Sequence, residues 1–235
     1  MLASLILQEF DDYLVINKPP GLAMHSETGP GLIARLRKEL EREELYPVHR
    51  LDANTSGLLL VAKTAEANRE LSLLFQEKQI EKLYLALVDK KPLKSQGCVK
   101  GDMQKARAGS WRLARSNVNP AVTWFFSSTY SPGKRLVILK PLSGKTHQLR
   151  VAMKALSAPI LGDKRYGGTV HSRTCLHAWQ LRFHWKGSQV HFIAPFTDIP
   201  GSTRGEFDNT QLTAFLDEMG PAFDLAWPKA ARLGQ

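Results

Sequence analysis

Residues 47–63 read PVHRLDANTSGLLLVAK, and the two halves of this segment differ sharply in character. The second half contains an unbroken apolar run from Leu58 to Ala62, which predicts a strand buried on both faces. The first half has six polar residues in eight positions: His49, Arg50, Asp52, Asn54, Thr55 and Ser56. Gly57 adds backbone freedom where the halves meet. Polar side chains above a rigid strand often form functional sites, although a surface turn with an Arg50–Asp52 ion pair has the same pattern.

Strand and helix signals surround this segment on both sides. Runs of apolar residues predict strands at residues 13–17, 82–88, 122–129 and 136–139. The first of these strands ends at a Lys18-Pro19-Pro20-Gly21 turn. Apolar residues at helical spacing predict helices at residues 32–45 and 210–219, and another helix that Thr64 is placed to cap.

The composition describes a basic globular protein with enough apolar residues for a core. The chain has 235 residues, and 43% of them are hydrophobic, so one large domain or two small ones can form. Its 32 Lys and Arg residues exceed 22 Asp and Glu residues, which gives a net charge of +10. This excess favours a polyanionic partner, with nucleic acid the first candidate, although plain solubility is the alternative.

The positive charge is concentrated between residues 89 and 119. Eight basic residues lie in this segment: Lys90, Lys91, Lys94, Lys100, Lys105, Arg107, Arg112 and Arg115. Glycines and serines interrupt it, which indicates an irregular basic hairpin that follows a phosphate backbone. We take Lys100, Lys105 and Arg107 as candidate RNA-backbone contacts. The alternative is a solvated basic loop.

Several classes of protein do not fit the sequence. Cys98 and Cys175 are the only cysteines, so no disulfide framework is expected and a reducing cytoplasm fits. No signal peptide or membrane span is expected either. Gly29-Pro30-Gly31 lacks the following Gly-Lys-Ser/Thr of a phosphate loop, and the His and Cys residues at 171, 175 and 177 lack the spacing of a zinc site. We therefore expect no metal and interpret His25 as structural or RNA-contacting.

Three segments resemble motifs of one enzyme family. Residues 49–57, HRLDANTSG, resemble the HRLDxxTSG signature of the RluA-type pseudouridine synthases. Residues 143–150, SGKTHQLR, resemble that family's Gly-Arg-Thr-His-Gln-Ile-Arg motif, which opens a helix expected here at residues 146–156. Residues 159–168 resemble its Pro-Ile-x-Gly-Asp-x-x-Tyr-Gly turn, and the strands expected at 176–183 and 190–193 resemble its closing strands. The resemblance extends from Asp11 to Phe196.

The resemblance implies a role for individual residues. Asp52 occupies the position of the catalytic carboxylate, and Arg150 that of the arginine that pairs with it and favours its ionised form. Tyr84, in a Lys-x-Tyr segment, corresponds to the tyrosine that lies under the target base, although a buried strand tyrosine is the alternative. The remaining candidate substrate-binding residues are His49, Arg50, Thr55, Lys82, His147 and Leu149. Arg50 in particular is expected to help expel the uridine from its stack.

The resemblance also implies a fold and a reaction. The expected fold is α+β, with a mixed, mainly antiparallel central sheet flanked by helices and loops. Residues 1–200 would form the catalytic domain and residues 201–235 a C-terminal helical extension, without the accessory RNA-binding domain that precedes some relatives. The expected enzyme is a cytoplasmic monomer that isomerises a uridine of tRNA or rRNA to pseudouridine. The reaction requires no cofactor because no redox change or group donor is involved.

The motifs depart from the family pattern at a few positions. Lys145 replaces the usual Arg, Ala152 stands where a His often follows, and Ser157-Ala158 replaces Gly-His. None of these changes affects the three predicted catalytic positions. Two other functions remain possible on the residues alone: an RNA-binding module without activity, and a hydrolytic nucleosidase or glycosylase that releases free base.

Overall fold

The computed structural model describes residues 2–24, 29–195, 207 and 210–227. His25 and residues 201–206 therefore lie outside the described part of the chain. The chain divides into two compact units. The first unit consists of Met1–Tyr84 and Ser172–Asp208, and the second consists of Leu85–His171 and Asn209–Gln235. The expected boundary at residue 200 stays a prediction.

The described residues contain both helices and strands, as the sequence predicts. The strands are β1 (Ile6–Glu9), β2 (Tyr13–Lys18), β3 (Tyr46–Pro47), β4 (Ser56–Ala62), β5 (Glu81–Val88), β6 (Gln96–Gly101), β7 (Met103–Lys105), β8 (Trp111–Leu113), β9 (Ala121–Ser131), β10 (Lys134–Pro141), β11 (Leu176–Trp185) and β12 (Ser188–Ile193). The helices are α1 (Leu32–Glu39), α2 (Ala65–Gln76), α3 (Gln148–Ala155) and α4 (Thr210–Met219). The mainly antiparallel α+β fold class is confirmed.

The first unit is built around strand β4, whose seven residues are all buried. The strand order is β1-β2-β4-β11, with β3 paired to β4 and β12 paired to β11. Leu58 and Leu60 pack with residues of α2 on one face, while Leu59 and Val61 pack with residues of α1 on the other. The apolar run therefore forms a strand buried on both faces, as predicted.

Gly57 lies where β4 meets β11 in a parallel pairing, directly opposite Ala178. Its φ angle is +106°, a conformation that side chains with a Cβ rarely adopt. A Cβ at this position would lie 2.7 Å from the backbone nitrogen of Ala178. The glycine after the polar segment is therefore required both by its own backbone conformation and by the close approach of β11.

The second unit contains an antiparallel sheet and a separate hairpin. Strands β9 and β10 pair along most of their length, and β6 pairs with the other edge of β9. Strands β7 and β8 form a two-stranded hairpin in which Lys105 is opposite Trp111. The predicted basic hairpin is confirmed for β7 and β8 only, because residues 96–101 of the same segment form β6 and pair with β9.

The helices differ from the predictions mainly at their ends. Thr64 caps α2 by accepting a hydrogen bond from the amide of Ala67 at 3.1 Å, as predicted. Helix α1 ends at Glu39 rather than near residue 45, because Glu41 has a φ angle of +51° that cannot continue a helix. Helix α3 begins at Gln148 rather than residue 146, because His147 has a φ angle of +57°. No helix in the described ranges is long and apolar enough to cross a membrane.

We expect the Gly57→Ala substitution to destabilise the protein by about 2–5 kcal/mol, because it combines a positive φ angle with a steric clash. Gly133→Ala is the matched control, since Gly133 has a φ angle of +68° and no heavy atom lies within 4 Å of the place that a Cβ would take. Gly133→Ala should lower the free energy of unfolding by only about 1–2 kcal/mol. Urea unfolding of both variants measures the difference, and equal losses would contradict the proposed close approach.

Candidate active site

The loop between β3 and β4 carries Asp52 between two buried neighbours. Leu51 is 5% exposed and belongs to the core cluster on the α1 face, while Thr55 is 3% exposed. The amide of Thr55 donates to the carbonyl of Asp52 at 3.0 Å and closes a tight turn. The Asp52 side chain remains half-buried and that of Arg50 is exposed. The loop is therefore anchored in the core while its charged side chains remain accessible.

Lys18 ties this loop to the turn after β2. The side chain is fully buried, and its ammonium donates to the carbonyls of Pro19 at 2.8 Å and of Leu22 and Ala53 at 2.9 Å. The carbonyl of Ala53 also accepts a bond from the amide of Gly21. Sequence analysis assigned this lysine only to a turn. Its position at the end of an apolar strand was the available signal for a buried charge.

The surroundings of Lys18 shift the pKa of its ammonium. Burial lowers the pKa of the ammonium to about 7, the Asp52 carboxylate opposes this shift, and the Arg173 guanidinium adds to it. Asp52 and Lys18 are therefore close enough to interact electrostatically.

Tyr84 is the second predicted catalytic residue near Asp52. Its ring is half-buried and packs against the core cluster of the α1 face. Burial raises the pKa of its hydroxyl, and the Asp52 carboxylate raises it further. The hydroxyl is therefore protonated at neutral pH. The first unit thus brings Asp52, Tyr84 and Lys18 together, while the catalytic roles of Asp52 and Tyr84 stay predictions.

His49 is held by the fold of the first unit. Its Nε2 accepts a hydrogen bond from the amide of Leu60 at 3.1 Å, and its ring stacks on Phe75 at 4.3 Å. The Lys82 ammonium lies 5.4 Å from the centre of the same Phe75 ring. Burial, with Lys82 as a second cause, lowers the pKa of His49 to about 3, so the ring is neutral. The substrate contacts expected of His49 and Lys82 stay predictions.

A second buried polar group supports the start of β4. The Ser56 hydroxyl bonds to Nδ1 of His177 at 2.9 Å and accepts from Arg173 at 3.2 Å. Burial, and then Arg173, lowers the pKa of His177 to about 3. Sequence analysis missed Arg173 and weighed His177 only as a metal ligand. Their contacts with Ser56 join residues more than a hundred positions apart, so no local pattern indicated them.

The second unit holds the other candidate site residues. Both Nε and Nη2 of Arg150 bond to the carboxylate of Asp163, at 2.7 and 2.8 Å. Leu149 is 7% exposed, and His147 precedes α3. Asp52 and Arg150 belong to different units, and their pairing stays a prediction. The three candidate RNA-backbone residues, Lys100, Lys105 and Arg107, are all exposed.

A comparison with known families identifies the chain. A family model described as RNA pseudouridylate synthase matches residues 12–155. The chain belongs to this family. The matched range includes the Asp52 loop, Tyr84 and helix α3. The RNA pseudouridylate synthases are isomerases that act on uridine in RNA, so the expected family and enzyme class are confirmed.

Similarity to individual proteins supports the same family assignment. The chain is 48% identical to an uncharacterised RNA pseudouridine synthase of Haemophilus influenzae, over 77% of this chain and 82% of that protein. It is 38% identical to ribosomal large subunit pseudouridine synthase C of Escherichia coli, over 80% of this chain but only 64% of that protein. The structure is similar to that of human RNA pseudouridylate synthase domain containing 1, with a TM-score of 0.69, 28% identity and coverage of 81% and 82%.

The neutral His49 ring of this RNA pseudouridylate synthase should make the fold sensitive to acid. Its pKa is lowered from 6.5 to about 3 on folding, so between these values the unfolded chain binds a proton that the folded protein does not. Stability is therefore lost as the pH falls through this window. Between pH 7 and about pH 4.5, the free energy of unfolding of the parent should fall by about 2–3 kcal/mol more than that of His49→Gln.

Urea unfolding of both proteins at the two pH values measures this difference. His184→Gln, which changes an exposed histidine of β11, is the control. A parent and a His49→Gln variant that lose equal stability on acidification would show that His49 is not held as a neutral ring.

Proposed function

We propose that this chain converts a specific uridine of large-subunit ribosomal RNA into pseudouridine, with Asp52 as the catalytic carboxylate. The observation that carries the proposal is the setting of Asp52. It is a half-buried carboxylate whose charge acts on both the buried Lys18 ammonium and the Tyr84 hydroxyl. Membership of the family supports the same reaction.

The reaction breaks the bond between N1 of uracil and C1′ of ribose and joins C1′ to C5 of the same base. The proton lost from C5 is balanced by one gained at N1, so the product is an isomer and no cofactor is required. Asp52 acts as a carboxylate, whether it attacks the sugar or the base. Tyr84 stacks on the uracil and mediates the proton transfers with its protonated hydroxyl.

The target base must leave its stack before the chemistry can occur. Base flipping costs a few kcal/mol, and an enzyme lowers this cost by filling the vacated position. Arg50 is exposed beside the half-buried Asp52, which suits a guanidinium that stacks between bases. We assign the remaining contacts with the flipped nucleotide to Thr55, Lys82, His147 and Leu149, with His49 contributing through the shape of the loop.

The class of RNA is proposed from the relatives. Two relatives, of Escherichia coli and Vibrio vulnificus, are named ribosomal large subunit pseudouridine synthase C. The chain spans 64% of the length of each. Of the two RNA classes considered, we therefore place ribosomal RNA ahead of tRNA, acted on by a cytoplasmic monomer. Mapping pseudouridines in cells with and without the protein identifies the RNA and the position.

The Asp52→Asn variant should form no detectable pseudouridine. The amide is nearly isosteric, so the fold should be retained, but it cannot supply the carboxylate that the reaction requires. RNA affinity should stay within a few-fold of the parent because it depends mainly on Lys and Arg contacts with phosphate. Asp89→Asn, which neutralises an exposed acid, is the matched control and should retain activity.

Product analysis of the parent and the Asp52→Asn variant separates the possible functions. The proposal expects pseudouridine from the parent and none from the variant. Unchanged RNA from the parent would indicate a binding module, and an abasic site would indicate a glycosylase. Appreciable pseudouridine from Asp52→Asn, with deamidation excluded by mass spectrometry, would falsify the assignment of Asp52.

Neutralising three exposed cations of the basic segment, Lys100 of β6 and two of the β7–β8 hairpin, should weaken RNA binding without slowing the reaction on bound RNA. We expect alanine at Lys100, Lys105 and Arg107 to lower the log–log salt slope by about 0.7–0.9 for each phosphate that is no longer neutralised. Alanine at Lys38, Lys78 and Lys134 removes the same charge from exposed positions elsewhere and is the control. Binding titrations at several salt concentrations measure the slope. Equal slopes in the two triple variants would show that the hairpin is only solvated.

A further inference from the structure

Tyr166 connects the basic hairpin to the start of α3. The residue is 5% exposed, and its hydroxyl accepts a hydrogen bond from the amide of Trp111, in β8, at 2.9 Å. The same hydroxyl bonds to Nδ1 of His147 at 2.9 Å, and the two rings meet edge to face. One buried hydroxyl therefore joins the backbone of the hairpin to a predicted substrate-binding residue.

The ring of Tyr166 also supports Arg150. The guanidinium carbon of Arg150 lies 5.0 Å from the ring centre, while Asp163 holds the guanidinium nitrogens in a two-point ion pair. The carbonyl of Asp163 accepts hydrogen bonds from the amides of Tyr166 and Gly168. One tight turn therefore carries both Asp163 and Tyr166. The position of Arg150 is thus fixed by a carboxylate and a ring on the same turn.

The hairpin depends on interactions outside its own two strands. Strands β7 and β8 have three residues each and form a separate two-stranded sheet, an arrangement that is marginal by itself. Besides the Tyr166 bond, the guanidinium of Arg165 donates to the carbonyl of Ala108 at the hairpin turn. The turn at residues 160–168 therefore anchors the hairpin at two points and holds Arg150 at a third.

We propose that Tyr166 is a positioning residue that fixes the RNA-binding hairpin relative to Arg150 and His147. RNA bound along the exposed hairpin cations is then placed in a set position relative to these two side chains. This inference rests on the proposed function and extends it, because it assigns accuracy of substrate placement to a buried residue that does not touch RNA. In this proposal the exposed cations provide RNA affinity, and Tyr166 determines where the bound RNA lies relative to Arg150 and His147.

The Tyr166→Phe variant removes the two hydrogen bonds of the hydroxyl and keeps the ring under Arg150. We expect the RNA affinity and the single-turnover rate on saturating RNA to fall, each by roughly three- to tenfold, in line with the loss of neutral hydrogen bonds. The triple alanine variant at Lys100, Lys105 and Arg107 should lose affinity alone. Tyr13→Phe is the control, since the buried Tyr13 hydroxyl has no hydrogen-bond partner among the described residues, and it should change neither quantity.

Two further variants separate positioning from simple support of the fold. In a His147→Phe background, Tyr166→Phe should cost little additional rate on bound RNA, because the lost hydroxyl acts through His147 and the two changes are then non-additive. Arg165→Ala, at an exposed position, removes the second anchor and should lower affinity and rate together, even if Tyr166→Phe does not fold.

The outcomes distinguish this inference from the proposed function. A normal rate on saturating RNA for Tyr166→Phe, or additive effects with His147→Phe, would overturn the positioning role. If Tyr166→Phe is unfolded, a normal rate for Arg165→Ala would overturn it. A parent protein that binds RNA but makes no pseudouridine would refute the proposed function, and the affinities of Tyr166→Phe and Tyr13→Phe would still test the anchoring of the hairpin.

Discussion

The buried ammonium of Lys18 is the interaction on which the candidate site depends. The turn after β2 contains Pro19 and Pro20, which have carbonyls but no amide hydrogens to donate. Lys18 supplies the missing donors and bonds to three carbonyls, including that of Ala53 next to Asp52. Burying this charge is costly, as its lowered pKa shows, and the Asp52 carboxylate offsets part of the cost. The Lys18 ammonium therefore stabilises the loop that carries Asp52.

Much of the fold could be predicted because its signals are local. The apolar run of β4, the capping of α2 by Thr64 and the strands on either side of the polar segment all appear at short range in the sequence. The ends of α1 and α3 could not be predicted, because Glu41 and His147 adopt left-handed conformations that nothing in their residue types requires. Such positions are held by the surrounding structure rather than by local preference.

The candidate site also contains some residues that the sequence predicted and others that it did not. A motif indicated Asp52 and Tyr84, and the structure places them within electrostatic reach of each other. The supporting residues were not indicated, because Lys18, Arg173 and His177 act through interactions that only the folded chain creates. His49 shows the limit of motif reasoning in another way. It belongs to the signature, yet its ring bonds to the Leu60 amide and stacks on Phe75.

In the second unit, the candidate RNA-contacting cations and the buried residues that fix the geometry are different residues. Lys100, Lys105 and Arg107 are exposed, so each can be replaced without disturbing the backbone that carries it. Tyr166 and Asp163 are buried and bond to several partners at once, so any change there alters the position of the hairpin or of Arg150. On the positioning role proposed for Tyr166, the buried pair would hold the phosphate-binding side chains in place relative to Arg150, and the phosphate contacts would then fix the register of the RNA.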